Sequence, residues 1–79
     1  MKKEICAQLV IEAKQEKKLS FQSIALAIGR DVVWTTSALL GEAACSEREA
    51  KIICELLDLG TDVERALQQA PPKKLKPLL

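Results

Sequence analysis

The chain has 79 residues, of which 48% are apolar and 29% charged, with a net charge of +1. That length excludes more than one domain, and a core so small leaves little stability in reserve. The apolar content argues against a disordered chain, and with Phe21 and Trp34 as its only aromatic residues the chain has no extensive base-stacking surface.

The first helix is expected from about Lys3 to Lys17, because Cys6, Leu9, Val10 and Ala13 fall at i, i+3, i+4 and i+7 on one face. Lys14, Lys17 and Lys18 crowd its last turn, where positive charge opposes the negative end of the helix dipole. Ser20 is a good N-cap for a second helix, whose inward stripe is Ile24, Ala25 and Ile28 with Phe21 one turn earlier. Gly29 ends that helix by taking the left-handed conformation that costs other residues energy. Asp31 then caps a third helix running to Leu40, with Gly41 as its terminator and Leu40 on the inward face.

The fourth helix carries the clearest start signal. Ser46-Glu47-Arg48-Glu49 reads as a capping box, in which the Ser46 hydroxyl and the Glu49 carboxylate accept from each other's backbone N–H. Ala50, Ile53, Cys54 and Leu57 form its stripe, and Ile52, Leu56 and Leu59 widen it. So broad an apolar surface fits either a central helix or one that also meets a partner chain. Thr61-Asp62-Val63-Glu64 repeats the capping pattern for a short fifth helix ending near Ala70, and Pro71-Pro72 blocks its continuation. Residues 1–70 thus form one helical domain, followed by a short basic tail over 71–79. The expected fold is all-α, a five-helix orthogonal bundle, in which helices two and three and their glycine turn make a helix-turn-helix of phage-repressor-like topology.

The charge is unevenly spread. Residues 1–18 carry +2, residues 19–70 carry −4, and the last nine carry +3. An acidic middle opposes phosphate neutralisation, and with it nucleic-acid binding. Should the helix-turn-helix nonetheless serve a DNA-binding transcriptional regulator, Gln22, Arg30 and Thr35 are the residues placed against the duplex. The helix Val32-Val33-Trp34-Thr35-Thr36-Ser37 offers no long donor for base edges, and Asp31 would face phosphates. Trp34, alone among Val32, Val33 and Leu39, reads as a packing anchor.

There is no His and no Tyr, no glycine-rich phosphate loop and no nucleophile–base set, so no catalytic residue is assigned. Glu47 and Glu49 point away from each other at i, i+2 and serve the helix start. Cys6, Cys45 and Cys54 have no C-x-x-C spacing, which argues against a zinc site or a disulfide framework. Cys6 and Cys54 sit among apolar neighbours as small hydrophobes. No cofactor or metal is expected. Glu4, Gln8 and Glu12 interrupt the N-terminal stretch, so it is not a signal peptide, and no apolar run approaches the roughly 20 residues that span a bilayer. A cytoplasmic, reducing setting is the expectation.

A finer match rests on three segments. Leu19-Ser20-Phe21 followed by Ile24-Ala25 and Gly29, then Thr36-Ser37-Ala38-Leu39-Leu40-Gly41, then Leu57-Asp58-Leu59, together resemble the N-terminal helical domain of cyanases. The likeness covers about residues 4 to 70. Two departures stand out. Ser37 and the segment Glu42-Ala43-Ala44 differ from the family's usual residues, and the sequence stops where a cyanase turns into a strand-rich catalytic domain. The resemblance places the active-site Arg, Glu and Ser of that family in the second domain, so none is carried onto this chain. It implies the oligomerisation-type part of an enzyme that decomposes cyanate with bicarbonate to ammonia and carbon dioxide. The implied partner is a second copy, met through apolar helix faces.

Overall fold

A computed structural model describes residues 1–71, which form five helices and, among the described residues, no strand. The basic tail expected over 71–79 lies outside the described residues from position 72 onward. Helix α1 spans Lys3–Glu16, α2 Phe21–Ile28, α3 Val32–Leu39, α4 Glu47–Leu57 and α5 Thr61–Gln68. The all-α bundle read from the periodicity is the fold observed.

Helix α4 lies at the centre, packing on α5, α2 and α1, while α2 also packs on α3 and α1 also packs on α5 and α3. Its stripe of Ala50, Ile53, Cys54 and Leu57 is buried, and Ile52 and Leu59 pack against the same core from partly covered positions. Of the two roles open to so apolar a helix, the central one therefore holds, and only Leu56 keeps a substantial exposure, 37%. Cys6, Val10 and Ala13 from α1, Ile24 and Ile28 from α2, Ala38 and Leu39 from α3, and Val63, Ala66 and Leu67 from α5 complete the core.

The helix ends follow the expected chemistry at most positions. Ser20 caps α2 and Ser23 reciprocates, its hydroxyl accepting from the Ser20 N–H at 3.1 Å, so a second capping box exists that only its first half announced. Gly29, with φ +74°, closes α2, and the Asp31 carboxylate accepts the Trp34 N–H at 2.8 Å to open α3. Ser46 and Glu49 form the reciprocal box, with bonds of 2.8 and 3.1 Å. Asp58 takes the left-handed conformation at the end of α4, and the next N–H, of Leu59, returns to the Cys54 carbonyl at 2.9 Å.

Two expectations are corrected, and one burial was not anticipated. Helix α5 has no side-chain cap: Gly60 is its N-cap in extended backbone and Thr61 is already the first helical residue. The left-handed turn at Asp58 sets this register one residue early, leaving Asp62 and Glu64 to favour the helix start through its dipole alone. Leu40 is not in the core but 51% exposed, because Thr35, Ala38 and Leu39 take the three inward positions of α3. The unanticipated burial is that of Lys3. Its ammonium donates to the Leu67 carbonyl at 3.4 Å and the Ala43 carbonyl at 3.5 Å, so a cation in the first turn of α1 serves the last turn of α5. Gly41, at φ +91°, brings its backbone against the Lys3 side chain, where an added Cβ would lie 3.5 Å from the lysine Cβ.

These burials predict a contrast. Ile53→Ala should cost about 2–5 kcal/mol, the range for a buried aliphatic truncated to alanine, whereas Leu40→Ala should stay within about 0.5 kcal/mol. Chemical denaturation of both variants measures it, and equal losses would contradict the packing of α3.

Candidate functional site

The turn between α2 and α3 is where sequence reasoning placed its candidate contacts, and it is also where polar groups converge. Arg30 follows Gly29 and lays its guanidinium against the start of α4. Its Nε donates to a Glu49 carboxylate oxygen, and its guanidinium carbon lies 3.9 Å from the centroid of the Trp34 ring. Glu49 is only 4% exposed. One of its oxygens accepts from the Ser46 N–H and the other from Arg30, so a single carboxylate closes the α4 cap and anchors the α2–α3 turn. The Arg30 guanidinium, and after it the Ser46 bonds, hold the Glu49 carboxyl below the usual carboxylate range against the opposing effect of its burial. Arg48 adds a longer bond, 3.4 Å, to the carbonyl of Ile28 at the end of α2.

The three residues proposed for DNA contact fare differently. Gln22 is exposed on α2 and free to reach outward. Arg30 is 44% exposed along its side chain, yet it is held between Glu49 and Trp34. Thr35 is fully buried and its hydroxyl donates to the Asp31 carbonyl at 2.8 Å, so its candidacy as a contact is withdrawn. The α3 register explains this: Thr35 is the residue that faces the core once Asp31 is the cap. The signal that sequence reading missed is the partner of Arg30. The capping box singled out Glu49, but nothing local linked it to an arginine nineteen residues earlier.

Elsewhere the polar chemistry is satisfied internally. Among the described residues no buried side-chain nitrogen or oxygen lacks a hydrogen-bond partner, and no group of three or more His, Cys, Asp and Glu side chains could hold a metal ion. The three thiols are buried and free. Burial pushes Cys45 and Cys54 up to about 11, with nearby Glu49 and Glu64 adding to it, and burial raises Cys6 as well. Thiols so placed stay protonated at neutral pH and are poor nucleophiles. The hollows along α4, lined by Glu47, Arg48, Lys51 and Glu55, are open grooves in its charged outer side.

Residues 3–71 match the family of the cyanate hydratase N-terminal domain. This chain belongs to that family. It is similar to a cyanate hydratase of Prochlorococcus marinus, 41% identical over 66 residues that cover 84% of this chain and 45% of the relative. A cyanate hydratase of Burkholderia ambifaria and one of Burkholderia pseudomallei are each 38% identical over 69 residues, covering 87% of this chain and 44% of the relative. The chain thus spans under half the length of the curated relatives it matches. Within the cyanate hydratase N-terminal domain, the three segments that carry the resemblance do architectural work here. Leu19-Ser20-Phe21 holds the α2 cap, Ala38 and Leu39 lie in the core, Gly41 makes the left-handed turn over Lys3, and Leu57-Asp58-Leu59 terminates α4.

The Arg30–Glu49 pair predicts a pH signature. A carboxylate whose folded-state pKa is depressed contributes stability in full above its unfolded value, about 4.3, and that contribution is lost as pH falls through the folded value. Glu49→Gln should therefore melt below the parent at pH 7, and the two melting curves should converge as the pH drops past the parent's depressed pKa. A gap independent of pH would mean that the charge of Glu49 is not what stabilises the turn.

Proposed function

We propose that this chain is the assembly module of a cyanate-decomposing enzyme, pairing with a second copy of itself and performing no chemistry alone. One observation carries the reading: the three thiols, Lys3 and Glu49 are buried and serve the fold, while several large apolar side chains are left exposed. Leu26 is 75% exposed, Val33 74%, Leu40 51% and Ile5 49%. Such side chains are available to a partner. Bicarbonate-dependent breakdown of cyanate requires anion recognition and proton transfer to a leaving nitrogen. Under this reading those groups lie in the sequence that the relatives carry beyond the matched stretch. Three free, buried thiols fit a reducing compartment, which supports a cytoplasmic setting. No helix among the described residues is long and apolar enough to cross a membrane.

A second reading, a helix-turn-helix regulator, is favoured by the succession of α2, a short turn and α3. Against it stand the burial of Thr35, the engagement of Arg30 by Glu49, and the Asp31 carboxylate at the start of α3. Only Gln22 would then remain an unencumbered contact.

Incubation of the purified chain with cyanate and bicarbonate should release no ammonia above a heat-killed control, and clear turnover would sink the proposal. Titration with random-sequence duplex should give weak binding at low salt that disappears as salt rises. Tight binding to a selected sequence, lost in Arg30→Ala, would transfer the assignment to a regulator.

A further inference from the structure

The cationic side chains of the domain divide by residue type in a way that charge alone does not require. Among the described residues, two of them reach from exposed positions to a distant element, and both are arginines. Arg30 pairs with the buried Glu49, nineteen residues later, and Arg48 donates to the Ile28 carbonyl at 3.4 Å, twenty residues earlier. The lysine that makes a comparable long link, Lys3, is 7% exposed. The other lysine bonds stay local. Lys51 meets Glu47 one turn away at 3.6 Å, and the partly covered Lys14 donates to the Leu19 carbonyl and lies over the Phe21 ring. Lys2, Lys17 and Lys18 are exposed, the three thiols are buried, and the sequence contains neither His nor Tyr.

This division matters toward one class of reagent. Cyanate in water equilibrates with isocyanic acid, a small electrophile, and an unprotonated amine or a thiolate adds to its carbon. The lone pair of the nucleophile forms the new N–C or S–C bond, and the C=N electron pair moves to nitrogen. That nitrogen takes up the proton the nucleophile has shed, so nothing is oxidised and no group leaves. A lysine modified in this way becomes a neutral urea and loses its charge. A guanidinium stays protonated at neutral pH and offers no lone pair. A thiol enclosed in the core is out of reach while the fold is closed, and burial also keeps it protonated.

We infer that the domain keeps its fold in the presence of the electrophile proposed as its enzyme's substrate, because isocyanic acid reaches lysines that the bundle can spare, whereas the groups joining its helices are arginines, covered thiols and the covered Lys3. This resistance rests on the reading of the chain as part of a cyanate-decomposing enzyme, and it adds to that role the ability to survive the substrate. Arg30 is the position where residue type decides most. Its side chain is 44% exposed, so a lysine there would be open to attack, and its neutralisation would leave Glu49 buried without its partner.

Incubation of the full 79-residue chain with potassium cyanate at neutral pH, against potassium chloride at the same concentration, tests it by peptide mass mapping and thermal melting. The parent should gain carbamoyl groups at its α-amine and at Lys2, Lys17, Lys18 and Lys51, while Cys6, Cys45, Cys54 and Lys3 stay unmodified. Its melting temperature should remain within about 3 °C of the chloride control, as for changes at exposed positions. Arg30→Lys, once carbamoylated at that position, should melt about 8 °C or more below its own chloride control. Arg48→Lys keeps the test decisive if Arg30→Lys is already unfolded in chloride: it should also lose stability in cyanate, by a smaller step. Modification of a thiol or of Lys3 in the folded parent would overturn the inference. So would a parent that falls as far as the variants, or variants as stable in cyanate as in chloride. Ammonia measured on the same samples separates the two readings: turnover by the chain alone would remove the assembly reading and leave the resistance, read from masses and melting, in place.

Discussion

The Glu49 carboxylate is shared by two parts of the domain that have no other polar link of comparable strength. A helix start needs an acceptor for its orphan backbone donors, and a turn carrying an arginine needs an anion. In this fold one buried side chain answers both, because the first turn of α4 arrives beneath the junction of α2 and α3. A carboxylate at 4% exposure is tolerable only while both partners are in place. The orientation of α2 and α3 against the central helix is thereby fixed by an ion pair and not by apolar packing alone. Apolar packing can slide with small loss; a charge-assisted bond cannot.

The consequence extends to how the surface should be read. An arginine in the turn between two short helices invites the idea of a phosphate contact, yet its guanidinium is paired with Glu49 and lies over the Trp34 ring. Trp34 in turn packs partly against the core, so the arginine, the tryptophan and the glutamate link the α2–α3 turn to the start of α4. What remains outside on α3 is Val32 and Val33, with Thr36 and Ser37 partly covered. The residues that carry the family likeness are caps, core positions and turns.

Much of this was legible in the sequence because it is local. Caps at Ser20, Asp31 and Ser46 and the terminator Gly29 act within a few residues of their own position, and the stripe of α4 needs only a 3.6-residue period. What was not legible is what depends on two distant segments meeting. The inward turn of Leu39 instead of Leu40 is decided by one residue of register, which neighbouring leucines cannot reveal. Lys3 at the head of a helix looks solvated by any local rule, since positive charge is disfavoured there, and only the arrival of α5 explains its burial. The partner of Arg30 was hidden for the same reason, and with it the fact that the candidate contact residues do not form one outward-facing set.

The Lys3 clasp has a bearing on how the chain comes to be folded. Most contacts in a bundle of short helices join near neighbours in sequence, and such folds form quickly. The bond from Lys3 to Leu67 and the contact of Cys6 with the Val63 carbonyl are different, separated by 64 and 57 residues. During synthesis the helices α1 to α4 can all emerge while the ammonium of Lys3 still lacks its acceptor at Leu67. The first turn of α1 is completed by α5. Closure of the bundle therefore waits until α5 has emerged, and until then the Lys3 ammonium lacks its partner at Leu67.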